Sequence, residues 1–523
     1  MTRVPLVVAG LFLLAFGIAP ILAMYAGTLW TEQGVSLAAW RGLLASEADR
    51  TQMFRSLQLG LSATGVAALL GGGHAWLTVR TDLPGARWLA PLGIAPLAMP
   101  PILLAMGYAD WLPATGFWPC AFLLGVSYAP FVAVLFARGL RAIDGRLAEA
   151  ALLHRGRCAA ERLVARLALP ELCAGALFAF LFVLAEHGVP EFLSVKGKNW
   201  LTYAEGIFFR WNLRAQLGAD SAATNAVVAS LPLVLVLGLA LFLGLRQRAR
   251  TTLRGDLVAL PVFALGRWRW PALLLPLLYL GLGVLMPVVV MARWAAGSTQ
   301  RNVPMSVDTF VQSARNAVQQ AGDDLLATLA MAAATALVLA VVALPLARAA
   351  ARRAAWLDLL AAVPLTVPAV LLGIGLVRLY NRPLTGGFYD GPAMVVCGYA
   401  ARFLPFAVLG LSSLCRRIPR EVEEAGWLTG RAPLARAAWL HVPLLLPGLW
   451  AVACLGFVLG LRELDLAVVL PEGNSTIVRR LSNVVHFGGE DVGGALALML
   501  LLLGALPALL TILLTGRSLR SLS

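Results

Sequence analysis

The chain has 523 residues, of which 60% are hydrophobic and 13% are charged, whereas a soluble protein carries about 25% charged residues. Its 42 Lys and Arg outnumber its 27 Asp and Glu and give a formal net charge of +15. This composition excludes an ordinary soluble protein. It also excludes nucleic-acid binding as the reason for the charge, because most arginines lie in short segments between long apolar runs.

Twelve apolar runs follow one another along the chain, most of them close to or above the ~20 residues that a bilayer core requires. They cover 5–30, 56–79, 88–109, 111–137, 170–187, 221–245, 271–292, 325–347, 357–377, 391–415, 442–461 and 492–516. The first run is too long for a signal peptide, so we expect a retained helix. The predicted fold class is all-α: a polytopic inner-membrane protein with about 12 transmembrane helices. The positive-inside rule places both termini in the cytoplasm.

The second half of the chain repeats the first. The stretch "MPPILLAMG" (99–107) aligns without gaps on "VPAVLLGIG" (367–375), and 170–186 aligns on 447–463. This predicts two parallel six-helix repeats, an arrangement found in transporters. The predicted divisions are 1–245 for the first six-helix half, 246–270 for a basic cytoplasmic linker and 271–523 for the second six-helix half. The linker is either solvated or lies on anionic headgroups.

A charged loop lies between the fourth and fifth runs of each half, with the same order of residues. These residues are Glu149, Ala150, Ala151, Gly156 and Pro170 in the first loop, and Glu424, Ala425, Gly426, Gly430 and Pro443 in the second. Gly430 permits a turn, and Pro433 can take the first position of a new helix. Such a helix–turn–helix is a compact body that a partner can bind and move as a unit.

The two loops resemble the EAA loop of the membrane subunits of type I ABC importers. The second loop has the family's spacing, with Gly426 at the second Ala position. In the first loop the Gly comes one residue later and the Pro two residues later. If Pro170 corresponds to Pro447 instead, this loop is two residues short.

The resemblance implies a type I ABC importer permease fold. It also implies two copies of a separate cytoplasmic ABC ATPase that dock on the loops, and a periplasmic substrate-binding protein. A single chain with both halves is most similar to the ferric iron permeases, and next to the thiamine and aminoalkylphosphonate permeases. The implied substrate is therefore ferric iron.

The chain is predicted not to be an enzyme. A P-loop requires Gly-x4-Gly-Lys-Ser/Thr, and neither of the two lysines, Lys196 and Lys198, lies in such a motif. We expect no cofactor in this chain, with ATP and Mg used by the partner ATPase. Six cysteines without CxxC spacing argue against a metal site.

Two acidic residues occupy equivalent places at the outer ends of the fifth and eleventh runs, Glu186 and Glu463. With Asp465 and Glu191 they could form an acidic mouth for a cation, since ionisable groups near membrane depth are functional candidates. The alternative is that they are solvated at the interface. Four basic residues nearby would instead suit an anion: Arg462, Arg479, Arg480 and His486.

Two further sets of residues complete the predicted sites. Pro100 and Pro368 are predicted to bend the third and ninth spans beside the translocation path. Arg479 and Arg480 are candidates for docking the binding protein, with plain surface charge as the alternative.

Two other functional classes stay open. An ion-coupled secondary transporter would need ionisable residues within its spans, where Arg402 and His74 are the two doubtful cases. A non-transporting membrane scaffold predicts no twofold loop.

Overall fold

A computed structural model describes residues 3–31, 34–35, 37, 40, 47–111, 114–194, 202–217, 227–228, 230–248, 258, 260–297, 304–352, 356–471, 476–487 and 490–520. Within these ranges nine helices are long and apolar enough to cross a membrane. They are Val4–Ala26, Asp49–Arg80, Phe117–Arg141, Gly145–Ala185, Gly266–Ala296, Val307–Arg352, Pro392–Cys415, Ala437–Leu461 and Asp491–Thr511. The protein is thus an all-α polytopic membrane protein.

Two bent helix pairs raise the number of spans to eleven if each pair is one span. The predicted number of about 12 is therefore not reached in the described part of the chain. The difference lies at the sixth predicted run, 221–245. There the helix Leu231–Arg248 has an apolar part, Leu231–Leu243, that is shorter than a span. Residues 221–226 and 229 of that run lie outside the described residues.

The bends occur where the two halves carry matching prolines. Ala86–Ala98 and Pro101–Trp111 meet at 92°, and Trp356–Thr366 and Ala369–Tyr380 meet at 93°. Met99 and Val367, which precede Pro100 and Pro368, are both extended, with ψ of 120° and 130°. A residue before proline is pushed out of the helical region by the proline ring. The predicted bends in the third and ninth runs are therefore confirmed.

The chain forms two compact units that differ from the two sequence halves. The first unit contains residues 42–317 and 484–498, and the second contains residues 1–41, 318–483 and 499–523. The first helix of the chain thus belongs to the unit built mainly from the second half, and the first helix of the second half belongs to the other unit. The predicted boundaries at 245 and 271 divide the sequence into two repeats and a linker, whereas the units group residues by contact in space, so these boundaries stay a prediction.

The first unit contains most of its helices in sequence order. These are Glu47–Ala67, Gly73–Arg80, Ala86–Leu92, Pro101–Trp111, Phe117–Arg141, Gly145–Ala185, Gly188–Ser194, Tyr203–Leu217, Leu231–Arg248, Arg269–Leu280 and Met286–Ala296. Short π or 3-10 segments lie at Ala68–Gly72, Ala95–Ala98, Gly266–Trp268 and Gly281–Leu285. The helix Val307–Arg352 begins in this unit and continues in the other.

The second unit opens with Arg3–Phe12 and Ala19–Ala26, joined by a π segment at Leu13–Ile18. Two strands of two residues each follow, Trp30–Thr31 and Gly34–Val35, and they pair antiparallel. Its other helices are Trp356–Ala362, Ala369–Tyr380, Gly386–Tyr389, Pro392–Cys415, Arg420–Leu428, Pro433–Arg436, Val442–Leu461, Asp465–Val469, Ile477–Phe487 and Glu490–Arg520, the last two shared with the first unit. A 3-10 segment lies at Val363–Thr366 and a π segment at Ala437–His441.

The exchanged first helices pack on equivalent glycines. A Cβ added at Gly375 would lie 2.4 Å from the carbonyl oxygen of Pro20, so the two backbones touch. Gly107 is the repeat partner of Gly375, and a Cβ there would lie 3.7 Å from the Cα of Pro287. Close approach of this kind is how helices associate in a bilayer, where burial of apolar surface gives little driving force. The second unit therefore has no room for a side chain at Gly375, whereas the first unit has room for one at Gly107.

We predict that Gly375→Ala destabilises the protein. The new methyl group would collide with backbone rather than with a movable side chain, and such overpacking costs about 1–3 kcal/mol. The measurement is the melting temperature of the detergent-solubilised protein, which we expect to fall. Gly107→Ala is the matched control, because its contacts are at ordinary distances. Equal melting temperatures for the two variants would show that the Pro20 contact does not constrain the fold.

Candidate functional site

The first loop, residues 145–170, is the N-terminal part of the helix Gly145–Ala185. The Asp144 carboxylate caps this helix by accepting a hydrogen bond from the backbone N–H of Arg146 at 3.1 Å. The helix is broken at Gly156, whose φ of 76° lies in the left-handed region that glycine adopts without strain. The first loop is therefore helix, turn and helix, and its second helix continues into a membrane span.

The second loop, residues 420–443, has the same construction. The helix Arg420–Leu428 ends just before Gly430, which has a φ of 66°. The chain returns to helix at Pro433, whose fixed φ suits the first helical position. The predicted turn at Gly430 and the helix start at Pro433 are therefore confirmed.

Contacts across the turn hold the second loop together. The guanidinium of Arg436 lies over the Trp427 ring, 5.5 Å from its centroid. Gly426 is buried where a Cβ would lie 2.7 Å from the Leu440 side chain. The Arg431 guanidinium lies 3.9 Å from the Trp439 ring centroid. These contacts join the two short helices into one body.

Both loops expose large apolar side chains beside the turn. Leu153 is 88% exposed in the first loop, and Trp427 and Leu428 are 63% and 89% exposed in the second. The predicted loop residues divide by burial. Exposed are Glu149, Ala150, Gly156, Glu424, Ala425, Gly430 and Pro443, whereas Ala151 and Pro170 are half-buried and Gly426 is buried.

A carboxylate that the sequence reasoning missed anchors the second loop. Glu423 Oε1 lies 3.4 Å from Arg352 Nε, 3.7 Å from an Arg348 guanidinium nitrogen and 3.4 Å from His441 Nε2. Arg352 also donates to the backbone carbonyl of Ile418 at 2.6 Å. Arg348 and Arg352 are four residues apart and so lie on one face of their helix, which was the available sequence signal.

The position of Glu423 changes how the two loops correspond. Counted back from the turn glycines, Glu149 lies seven residues before Gly156 (156 − 149 = 7) and Glu423 lies seven residues before Gly430 (430 − 423 = 7). On this count Glu423, not Glu424, is the structural equivalent of Glu149. Glu149 is exposed, whereas the Glu423 side chain is 20% exposed.

The first loop is anchored by a different pair. Arg80 is fully buried at the end of its span and lies 3.0 Å from Glu161, a residue of the first loop. Arg80 and Arg348 are equivalent in the repeat, because their separation of 268 residues (348 − 80) equals that of the aligned stretches at 99 and 367. Equivalent arginines thus bind carboxylates from different parts of the two loops.

The carboxylates at the outer ends of the fifth and eleventh predicted runs are buried. Glu186 accepts a hydrogen bond from the Tyr128 hydroxyl at 2.6 Å. Glu463 Oε1 lies 3.1 Å from Arg402, which also lies 3.6 Å from Asp465. One guanidinium within the same unit therefore lies beside both carboxylates. Glu191, in the helix Gly188–Ser194, is half-buried.

A tyrosine on the preceding long helix meets each of these glutamates. The Tyr399 hydroxyl donates to the backbone carbonyl of Glu463 at 3.3 Å, as Tyr128 does to the side chain of Glu186. Tyr128 and Tyr399 are 271 residues apart, so the repeat could have indicated both. Burial of a carboxylate with a hydroxyl or guanidinium donor satisfies it without solvent.

The two arginines predicted to dock a binding protein make contacts inside their own unit. Arg479 donates to the carbonyls of Ala467, Leu470 and Pro471 at 3.3–3.4 Å. Arg480 pairs with Asp324. Docking through these arginines stays a prediction. Among the residues that the structure describes, no group of three or more His, Cys, Asp or Glu is placed to hold a metal ion.

Comparison with known proteins bears on the whole arrangement. No protein-family model matches the chain. The Fe(3+)-transport system permease protein FbpB 2 of Haemophilus influenzae is 24% identical over 346 residues, which are 64% of this chain and 65% of that protein. An ABC transporter permease protein of Streptomyces antibioticus, ORF1, is 33% identical over 151 residues, 27% of this chain and 63% of its own. The trehalose transport system permease protein SugB of Mycobacterium tuberculosis is 29% identical over 113 residues, 22% and 41% of the two chains.

The chain is similar to ABC transporter permeases. Of these three relatives, the Haemophilus permease matches the largest share of this chain, and this match supports the ferric iron branch. The chain spans 65% and 63% of the lengths of the first two relatives, just under two thirds. The predicted resemblance to ABC permeases is therefore confirmed.

We predict that Glu423→Gln destabilises the second loop. The neutral amide would leave Arg348 and Arg352 close together without a shared anion, and truncating one member of a buried pair costs about 3–5 kcal/mol. Because Glu423 is partly exposed, we expect about 1–3 kcal/mol. The measurement is the melting temperature of the purified protein. It is recorded at several pH values, because the imidazole of His441 also contacts Glu423 and is charged only when protonated.

Glu424→Gln is the control for this experiment, since it changes the neighbouring but exposed carboxylate. We expect it to leave the melting temperature unchanged. If Glu424→Gln proves as destabilising as Glu423→Gln, the ion-pair cluster is not the anchor of the loop.

Proposed function

We propose that the chain is the transmembrane permease subunit of an ATP-driven, binding-protein-dependent ABC importer. The observation that carries the proposal is the pair of loops, each a helix broken by a left-handed glycine, Gly156 or Gly430, in a chain of apolar spans. The similarity to ABC transporter permeases supports it.

The loops are suited to receive force from a partner. In the first loop the segment after the turn runs without interruption into the span that ends at Ala185, so a push on the loop moves the span. In the second loop, Glu423 ties the short helix to Arg348 and Arg352 at the end of another long helix. A loop with rigid connections transmits displacement, whereas a flexible one would absorb it.

The tips of the loops are suited to bind that partner. Leu153, Trp427 and Leu428 expose apolar surface next to arginines, and Trp and Arg are the residues most enriched in interface hot spots. Two loops require two docking sites, so we propose two copies of a cytoplasmic ABC ATPase. In this proposal the chain is not an enzyme and carries no cofactor, and ATP and Mg are used by the ATPase.

The proposed location is a bacterial inner membrane, with both termini in the cytoplasm and the loops on the same side. A periplasmic substrate-binding protein would deliver the substrate to the opposite face, where Arg479 and Arg480 are the candidates for docking. The proposed path involves Glu186, Glu463 and Asp465, with Pro100 and Pro368 at the bends beside it.

We propose ferric iron as the substrate, because the relative that covers most of this chain is named as an Fe(3+) permease. Thiamine, a phosphonate or another small solute is the alternative. An ion-coupled secondary transporter is less favoured. Its intramembrane charge would be Arg402, and that residue is compensated by Glu463 and Asp465.

The double variant Trp427→Ser/Leu428→Ser tests the coupling proposal. Removing two exposed apolar anchors should weaken binding of the cognate ATPase by about 2 kcal/mol or more, which corresponds to roughly thirtyfold or greater in Kd. The measurement is the Kd for the ATPase on the purified permease in nanodiscs.

Leu384→Ser is the control, because Leu384 is fully exposed but lies on neither loop. It should bind the ATPase as the wild type does. Binding of the ATPase to the double variant with unchanged Kd would exclude the second loop as its docking site, and no binding to the wild type would refute the proposed function.

Glu186→Gln tests the path and the substrate together. Loss of one charge interaction with a cation about 4 Å away is worth about 1–4 kcal/mol at effective dielectric constants of about 80 to 20, so we expect ferric iron uptake to slow by about tenfold or more. Uptake is measured in cells that express the binding protein and the ATPase, with thiamine and a phosphonate as competitors. Glu171→Gln is the control: Glu171 lies on the helix that ends just before Glu186, its carboxylate pairs with Arg138, and the change should leave uptake unchanged. Competition by thiamine or the phosphonate would reassign the substrate.

A further inference from the structure

Part of the predicted linker, Val258 and residues 260–265, forms specific contacts with the rest of the first unit. Phe263 forms a parallel bridge with Thr81. Its N–H donates to the Arg80 carbonyl at 2.8 Å, and its own carbonyl accepts from the Asp82 N–H at 2.9 Å. The linker therefore adds one strand-like residue to the end of the span that closes at Arg80.

The same segment also reaches the first loop. The carbonyl of Val258 accepts from the N–H of Gly145, the first residue of the loop helix, at 2.8 Å. The carbonyl of Ala264 accepts from the Arg157 guanidinium at 3.0 Å, just beyond the turn at Gly156. Because these two contacts lie on either side of the turn, the linker spans the loop.

Phe263 is the centre of this contact. The guanidinium carbons of Arg80 and Arg157 lie over its ring, 4.5 Å and 4.6 Å from the centroid. Arg80 also donates to the Pro261 carbonyl and pairs with Glu161. A partly desolvated cation–π contact is worth more than an exposed one, and here one ring serves two cations.

Apolar packing and one more hydrogen bond complete the attachment. Leu260 packs against a buried cluster that includes Ala148 and Val164 of the first loop. The Leu265 N–H donates to the Asp82 carboxylate at 2.7 Å. Phe263 and Leu265 are half-buried, whereas Val262 and Ala264 are exposed, so over these four residues alternate side chains face the protein as in a strand.

In the second loop Glu423, which precedes the turn, binds the arginine equivalent to Arg80, whereas in the first loop Arg80 itself is bound by Glu161, which follows the turn. In the first loop the equivalent carboxylate, Glu149, is exposed. We propose that linker residues Val258 and 260–265 are a third element of the first loop. They position it on the end of the span at Arg80 and replace the anchor that Glu423 supplies in the second loop. That this positioning serves coupling to an ATPase rests on the proposed function, whereas the attachment does not.

Limited proteolysis of the full-length permease, without any ATPase, tests the attachment. The first loop carries exposed arginines on both sides of the turn, among them Arg155 and Arg162, and the second carries Arg431. Trypsin cuts a helical segment only when it opens locally. In Phe263→Ala we expect cleavage in the first loop to rise by about five- to tenfold, with cleavage in the second loop unchanged.

Two variants separate the ring from general disruption. Phe263→Tyr keeps the aromatic face and should restore wild-type cleavage, and Val262→Ala changes the adjacent exposed side chain and should match wild type. If Phe263→Ala does not accumulate in the membrane, Asp82→Ala is used, since it removes only the acceptor of the Leu265 N–H. We expect it to raise first-loop cleavage by about two- to threefold.

Wild-type cleavage in Phe263→Ala, or an equal rise in both loops, would overturn the proposal, as would failure of Phe263→Tyr to restore protection. A second measurement addresses coupling: transport per ATP hydrolysed should fall in Phe263→Ala and recover in Phe263→Tyr. If no ATPase binds even the wild type, the proposed function fails, and the cleavage result still decides whether the linker anchors the loop.

Discussion

The constraint on which this structure depends is that a chain lying mostly in lipid must compensate every charge it keeps near its apolar helices. An uncompensated charge there costs several kcal/mol, and several arginines in the described spans or at their ends have carboxylate partners. Arg80 pairs with Glu161, and Arg348 and Arg352 share Glu423. Arg402 lies 3.1 Å from Glu463 and 3.6 Å from Asp465. These pairs hold the loops and the outer ends of the spans in place.

The same constraint makes the two halves unequal. Equivalent arginines, Arg80 and Arg348, need an anion, and each half supplies it from a different place. The second loop supplies Glu423 before its turn, whereas the first supplies Glu161 after its turn and adds the linker, whose Phe263 contacts two guanidinium groups. The departure of the first loop from the family spacing is accompanied by these substitute contacts.

Backbone packing governs the rest of the fold. The bends of 92° and 93° arise where Met99 and Val367 are forced into extended conformation by the prolines that follow. Gly375 lets the first helix of the chain approach a helix of the second half so closely that Pro20 touches its backbone. Each unit is therefore completed by a helix from the other half of the sequence.

Local signals in the sequence determined the fold class, nearly all the spans, the bends at Pro100 and Pro368, and the turn at Gly430. Each of these follows from hydrophobicity over about 20 residues or from the backbone limits of a single proline or glycine. Only the tertiary structure decided that Glu423 rather than Glu424 is the anchor, that Phe263 binds Arg80 and Arg157, and that the first helix joins the second unit. Those facts depend on which distant groups meet in space, and contacts between residues about 70 or more positions apart leave no local pattern in the sequence.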